Sequence, residues 1–438
     1  MSFNHPPRLS PDDKHKLPFV SILRPIKGWE PNLELCLNSA CLLDYPKDSF
    51  EVVFCVADGT DAAIPVIETV MANHPELRTK LCVGEEAIGP NPKIRNLSRA
   101  YREAVGDIIW ILDSNVWVNP GILHRSVRQL EGTDTRRGFK LVHHLPLCVD
   151  VTDTSEASEH SIFRKLWEFG GGRLEENFMS SSHAKFYCAI NTTGVAPCVV
   201  GKSNIFRRSH LAEVTTDPVN DPQNKRQGIN YFADNICEDH LLAEKLWMTP
   251  LQEEKDKVRA WDKHGMANDV VFQPTENMPM RDYLARRTRW IAVRKYSVLS
   301  ATLVEPTTES VVASLMLAFA LTTLGFFAGY IGSSWSAFWA VWGCSMLWWA
   351  VSDRLLFNFL HQYRSTVVDS NSPGFITRKQ ARSFGAWVLQ WVGRELLALG
   401  IWGWAMYPGT ITWRGGQYKV RWKDMKVEQI TMPVPKVD

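Results

Sequence analysis

Asp58 and Asp113 each follow a short apolar run, Phe54-Cys55-Val56-Ala57 and Ile109-Trp110-Ile111-Leu112, while Glu238-Asp239 opens an apolar helical segment. A carboxylate at the end of a buried strand is costly unless it is paired or binds a cation. Asp113 therefore points to Mg2+ or Mn2+, oxygen-seeking ions that bridge to phosphates. Asp58 could accept hydrogen bonds from a nucleotide's base or ribose. Asn91-Pro92-Lys93-Ile94-Arg95-Asn96 starts a helix, and Lys93 with Asn96 on successive turns could meet a diphosphate or uridine, aided by the helix N-terminus. Arg286, Arg289 and Trp290, in Arg286-Arg287-Thr288-Arg289-Trp290, could hold a diphosphate by charge-assisted hydrogen bonds. Each position has a structural alternative: a turn-forming Asp58 beside Gly59, a capping Asp113, favourable first-turn charges at Glu238 and Asp239, and a lipid-headgroup anchor for the arginines.

The elements that must position these residues are legible as alternation. Phe19 to Leu23, Phe50 to Ala57, Lys80 to Val83 and Asp107 to Leu112 read as buried strands. Glu34 to Leu43, Ala62 to Asn73, Lys93 to Val105 and Gly121 to Glu131 read as helices. The order β-α-β-α predicts an α/β fold with a doubly wound, mostly parallel, Rossmann-like sheet, whose ligands bind beyond the carboxyl ends of the strands. Thr216 to Gly228 and Thr249 to Lys263 read as surface loops. Lys plus Arg is 49 against 47 for Asp plus Glu, a net charge of +2, which gives no bulk case for a nucleic-acid partner. The nine cysteines show no C-x-x-C pair, which suits reduced thiols on a cytosolic face.

Residues 310 to 352 contain no Asp, Glu, Lys, Arg or His, and five tryptophans fall in that run. Spans are predicted at 311–331 and 335–352, with a third apolar stretch at 384–407 interrupted by Arg394 and Glu395, which could pair with each other or with a neighbouring segment. Arg281 to Lys295 reads as a basic amphipathic element at the headgroup level. Arg354, Arg364, Arg378, Lys379 and Arg382, in the loop 353–383, place that loop and the preceding domain on the cytosolic side. The expected organisation is a polar tail at 1–16, a catalytic domain at 17–280 with halves 17–150 and 151–280, an interfacial segment at 281–309, a membrane region at 310–407 and a C-terminal tail at 408–438. Met1 to Lys16 has no apolar core, so nothing there reads as a signal peptide or anchor.

The order Asp58, Asp113, Glu238-Asp239 and Arg286-x-x-Arg289-Trp290, followed by apolar spans, resembles the signature of membrane glycosyltransferases with the GT-A fold. Within that group Leu17-Pro18-Phe19-Val20-Ser21-Ile22-Leu23-Arg24-Pro25, Asp44-Tyr45-Pro46, Asn91-Pro92-Lys93-Ile94, Leu141-Val142-His143 and Glu305-Pro306 are similar to the ceramide glucosyltransferase family, over about Leu17 to Arg421. The resemblance implies inverting transfer of glucose from UDP-glucose to the primary hydroxyl of ceramide. Asp58 would hold the uridine end, Asp113 the metal and diphosphate, and Asp239 would be the base; Arg286, Arg289 and Trp290 would bind the diphosphate and close the site.

His183, in Ser181-Ser182-His183, and Cys198, in Ala196-Pro197-Cys198, fall in segments similar to the family's UDP-glucose-sensitive region. Two departures stand beside the resemblance. Family members usually begin with a transmembrane anchor, whereas this chain starts polar, as expected for a shortened or anchorless form. Asn115 occupies the second position after Asp113, so there is no D-x-D pair. The implied partners are UDP-glucose, ceramide in the bilayer and membrane lipids, with a divalent metal as cofactor and a Golgi or ER membrane as location. The rival readings are a processive polysaccharide synthase of the same superfamily and a noncatalytic nucleotide-binding membrane scaffold.

Overall fold

The structure is a computed structural model that describes residues 17–431 apart from 134, 154–161, 378–381, 408, 414–415 and 423. The tail at 1–16 and the loop cations Arg378 and Lys379 lie outside the described residues.

Seven strands form one sheet: β1 (Val20–Ile26), β2 (Phe50–Val56), β3 (Arg78–Val83), β4 (Ile108–Leu112), β5 (Leu141–Asp150), β6 (Ser203–Arg207) and β7 (Gly265–Thr275), in the order 3-2-1-4-6-5-7. β6 is antiparallel to both β4 and β5, and every other neighbouring pair is parallel. The doubly wound α/β sheet is thus as expected. β1, β2 and β4 are buried at every residue, as central parallel strands covered on both faces must be. β3 was expected to be buried, but it is the sheet's edge and only Cys82 in it is buried.

β1 runs three residues past Leu23 because Arg24, fully buried, donates to the carbonyls of Ser114 at 2.9 Å, Cys36 at 3.1 Å and Val116 at 3.2 Å. A guanidinium with several carbonyl acceptors can occupy a strand that hydropathy alone would end. The chain turns back between β1 and β4, which are neighbours although β2 and β3 intervene in sequence. This is the topological switch point, where an open α/β sheet leaves a crevice at its carboxyl edge.

The C-terminal third departs from the expected spans. The stretch 311–331 is divided at Leu324 into the helices Ser310–Thr323 and Gly325–Ile331. The helix Trp335–Leu360 continues beyond 352 through Asp353. Among the described residues no single helix is long and apolar enough to cross a membrane; the pair Leu299–Thr308 and Ser310–Thr323, bent by 73°, meets that requirement only together.

The interruption in Phe384–Met406 has a protein partner. Arg394 pairs with Glu395, with Asp353 Oδ2 at 3.0 Å and with the Ser181 hydroxyl, while Lys185 Nζ lies 2.6 Å from Asp353 Oδ1. Part of the basic element is also turned inward, although Arg281 and Arg294 stay exposed. In the helix Met280–Ser297, Arg286 pairs with buried Glu175 at 3.1 Å, Arg287 lies on the Phe178 ring, and Lys295 donates to the Ala405 carbonyl at 3.2 Å. These cations meet protein groups where lipid headgroups were expected. The tail at 408–438 also carries structure: β8 (Thr410–Trp413), β9 (Gly416–Val420) and β10 (Val427–Thr431) form an antiparallel sheet.

Candidate active site

The register of two strands builds the centre of the site. Leu112, the last residue of β4, pairs with Ser203, the first of β6. Asp113 therefore stands beside Lys202, and its amide donates to the Lys202 carbonyl at 3.1 Å. Lys202 Nζ lies 3.3 Å from Asp113 Oδ2 and donates to Asn115 Oδ1 at 2.8 Å. The other carboxylate oxygen, Oδ1, is 3.0 Å from Lys93 Nζ. Lys93 lies in the first turn of the helix Pro92–Glu103, 7% exposed, and also reaches Glu238 Oε1 at 3.4 Å and the Gly201 carbonyl at 3.0 Å.

Asp239 closes the group from the helix Glu238–Met248. A Cβ placed on Gly201 would lie 2.9 Å from Lys93 Nζ and 3.1 Å from Asp239 Oδ2, so a larger residue there would push the ammonium aside. Burial pushes the Asp239 carboxyl above the usual carboxylate range, against the pull of Lys93. Glu238 is likewise raised by burial. A raised carboxyl beside an ammonium is suited to taking a proton near neutral pH. Three carboxylates from two distant stretches of the chain thus converge around one lysine.

Asn91 fixes this arrangement. Its Oδ1 accepts from the amides of Lys93 at 2.8 Å and Ile94 at 3.2 Å, while Nδ2 donates to Glu238 Oε2 at 3.0 Å and to the Asn235 carbonyl at 2.5 Å. The amides expected to greet a phosphate are therefore capped by Asn91. Asn96 also differs from expectation. It is 1% exposed and its amide donates to the carbonyls of Cys55 at 2.9 Å and Ile26 at 3.3 Å, tying the ends of β1 and β2 beneath the crevice. Asp58 is exposed after β2, and its carboxylate accepts from the Thr60 amide and hydroxyl, both at 2.9 Å. Those bonds hold its pKa below the ordinary aspartate value.

The motif Arg286-x-x-Arg289-Trp290 lies on the helix Met280–Ser297. Arg286 donates to Gln273 Oε1 at 3.0 Å and stacks over Trp290 at 5.1 Å. Trp290 also faces the His183 ring at 6.1 Å, and His183 stacks on Tyr187 at 5.3 Å. Burial, with Arg287, Arg294 and Arg286 adding repulsion, holds His183 at about 3, so it is a neutral ring at physiological pH. Cys198 is tied through its backbone to Asn191, and burial pushes its thiol up to about 11, which leaves no thiolate nucleophile. Sequence reasoning missed Lys202, Glu175 and Gln273, which carry no periodic or motif signal; only the β4–β6 pairing brings Lys202 to Asp113.

The expected divalent cation can be tested against this donor set. Both oxygens of Asp113 already face ammonium groups, and the oxygen of Asn115 accepts from one of them. Among the described residues, no three His, Cys, Asp or Glu side chains gather as a metal's ligands. A divalent ion about 4 Å from an ammonium would meet a repulsion of about 8 kcal/mol per lysine at an effective dielectric of about 20. The residues at Asp113 do not fit a resident metal.

The sequence pattern of glycosyl transferase family 21 matches residues 4–426. A ceramide glucosyltransferase of Pyricularia oryzae is 42% identical, over 95% of this chain and 87% of its own length. Those of Gibberella zeae and Candida albicans are 38% and 32% identical, over 95% and 98% of this chain and 86% and 91% of their own lengths. Among solved structures, a mannosyltransferase from Pyrobaculum calidifontis in complex with GDP-Man and Mn2+ aligns over 90% of this chain and 86% of its own, at 16% identity and a TM-score of 0.41. With the family's pattern running from the N-terminal tail to residue 426, through every residue of the carboxylate cluster, the chain belongs to glycosyl transferase family 21.

Proposed function

We propose that this protein transfers glucose from UDP-glucose to the primary hydroxyl of ceramide, with inversion at the anomeric carbon. The observation that carries the reading is the convergence of Asp113, Glu238 and Asp239 on Lys93 at the switch point of the sheet, in a family 21 chain. Asp239 takes the proton of the acceptor hydroxyl as its oxygen bonds to the anomeric carbon and the bond to the UDP oxygen breaks. A single displacement needs one base and a neutralised leaving group, and no covalent partner on the protein. Asp58, exposed at the carboxyl end of β2, is assigned to the uridine end of the donor. Arg286, Arg289 and Trp290 are assigned to the diphosphate side, and His183, which faces Trp290, and Cys198 are assigned to the donor pocket.

The lipid acceptor accounts for the C-terminal third. Phe326, Tyr330, Trp335, Trp348, Leu389, Leu396 and Trp404 are each more than two-thirds exposed, a concentration of apolar surface that water would penalise. We place these faces in the bilayer of a Golgi or ER membrane, with the sheet on its cytosolic side. The test is to incubate the full chain in microsomes with labelled UDP-glucose and a short-chain ceramide. A labelled glycolipid is the expected product. A labelled polymer would instead assign a polysaccharide synthase, and nucleotide binding without any product would assign a scaffold.

A further inference from the structure

We propose that Lys202 and Lys93 form a dicationic cradle for the donor's diphosphate and supply the positive charge that a divalent cation supplies in metal-assisted transfer. The proposal rests on the nucleotide-sugar reading above and deepens it by naming what neutralises the leaving group. The two lysines come from unrelated elements, one from the helix Pro92–Glu103 and the other from the residue before β6, yet their ammonium groups take opposite oxygens of one carboxylate, at 3.0 and 3.3 Å. Asp113 acts here as a tether that holds two cations at one place.

The two lysine side chains are each 9% exposed and that of Asp113 is 24% exposed, so the triad is sunk in the protein and the carboxylate is its most accessible member. The position is fixed by backbone as well as by charge. The Asp113 amide donates to the Lys202 carbonyl, and the Lys202 amide donates to the Val200 carbonyl at 2.8 Å. Asn115, at the second position after Asp113, turns its amide oxygen to Lys202 Nζ. A carboxylate there would bring a second negative charge into the space a diphosphate must enter, whereas a neutral amide orients the lysine without adding one.

Charge accounting supports the same assignment. Against Asp113, Glu238 and Asp239 stand Lys93 and Lys202, and burial raises both members of the Glu238–Asp239 pair toward the protonated form. Burial lowers the Lys202 ammonium below its usual range, Asp113 draws it back up, and Arg286 lies near enough to lower it a little further. An arriving diphosphate therefore meets a cluster whose cations are positioned and whose spare carboxylate charge is reduced. Asp113 keeps the two ammonium groups side by side while they turn toward the phosphate oxygens.

The experiment is a calorimetric titration of UDP into the full-length protein in detergent, once with EDTA and once with Mn2+. The wild type is expected to bind UDP in EDTA within about threefold of its affinity in Mn2+. Loss of a charge-assisted contact is expected to weaken UDP binding by Lys202→Met about ten- to a hundredfold in EDTA, while Lys202→Arg, which keeps the charge, stays near the wild type. Thermal unfolding of each variant accompanies the titration, and the wild-type comparison stands by itself if Lys202→Met does not fold. Binding that collapses tenfold or more in EDTA and returns with Mn2+ would overturn the cradle and leave the glucosyltransferase reading intact, as would Lys202→Met binding UDP like the wild type. UDP binding in neither buffer, with no glycolipid product, would overturn both.

Discussion

The side-chain amide of Asn235 donates to the main-chain carbonyl of Met425 at 2.9 Å, joining the loop before Glu238 to the C-terminal sheet. Beside it the Val427 amide donates to the Asp234 carbonyl at 2.8 Å, and Lys426 lies 3.2 Å from the Asp234 carboxylate. The same loop is held from the other side by Asn91, which also touches Glu238. The C-terminal sheet thus sets the position of the residues that open the helix carrying Asp239. Asn235→Ala is expected to cost about 1 kcal/mol of stability and to lower kcat about tenfold, the effect of about 1.4 kcal/mol on the transition state. KM for UDP-glucose should move less than about twofold. Steady-state kinetics beside thermal denaturation checks this, and a loss confined to KM would place Asn235 in donor binding instead.

Asp239→Asn keeps the size of the side chain and removes its basicity. A positioned general base is worth about 10²- to 10⁴-fold, so turnover should fall within that range while UDP binding and protein abundance stay near the wild type. Glu238 accepts from Asn91 and faces Lys93, and Glu238→Gln keeps one of these contacts in neutral form while turning its amide NH2 toward the other donor. A smaller loss is expected there. If Asp239→Asn turned over normally, the base would have to be sought elsewhere.

The pH dependence follows from the same pair. Burial raises both carboxyls, Glu238 to about 7, so the pair takes up a proton as pH falls through the neutral range and titrates as a unit. The ionised base is then lost on the acid side. The expected profile of kcat/KM is a plateau above about pH 7.5 and a fall of roughly tenfold per pH unit well below the apparent pKa. In Lys93→Met the ammonium that favours ionisation is gone, and the acid limb should move to higher pH. A limb that stays in place would show that Lys93 does not set the base's ionisation.

Much of the first half was legible because its strands are apolar throughout. β1, β2 and β4 announce themselves by runs such as Ile108-Ile109-Trp110-Ile111-Leu112, and the carboxylate that ends β4 is the one found in the cluster. β5 and β7 were not, because buried polar groups break their runs. In β5, His143 meets the Tyr187 hydroxyl at 2.5 Å, and His144 meets Ser126 at 2.9 Å and Ser203 at 2.8 Å. In β7, Asp269 pairs with Arg125 at 2.6 Å. Each of these partners is distant in sequence or lies on another element, so satisfaction of the polar group, and hence its tolerance in a core strand, is invisible to periodicity. β8 to β10 did leave a signal, the alternation on either side of Gly415-Gly416, which a reading of the segment as a tail passed over.

The strongest stability prediction concerns the charges inside the C-terminal helices. Arg394 is 3% exposed and bridges Glu395, Asp353 and the Ser181 hydroxyl; Asp353, fully buried, also takes Lys185 and the Trp391 indole at 2.8 Å. The network therefore locks Phe384–Met406 and Trp335–Leu360 to the helix Ser182–Thr193 of the catalytic part. Removing one member of a buried network leaves its partners charged and unpaired, at a cost of about 3–5 kcal/mol. Arg394→Ala should lower the unfolding midpoint and detergent half-life accordingly. Replacing the charges together, as Arg394→Met with Glu395→Gln and Asp353→Asn, removes the stranded carboxylates as well and should recover part of that loss. A double-mutant cycle across Arg394 and Asp353 measures the coupling directly. Strict additivity of the two single changes would mean that the Arg394–Asp353 pair does not hold its two helices together.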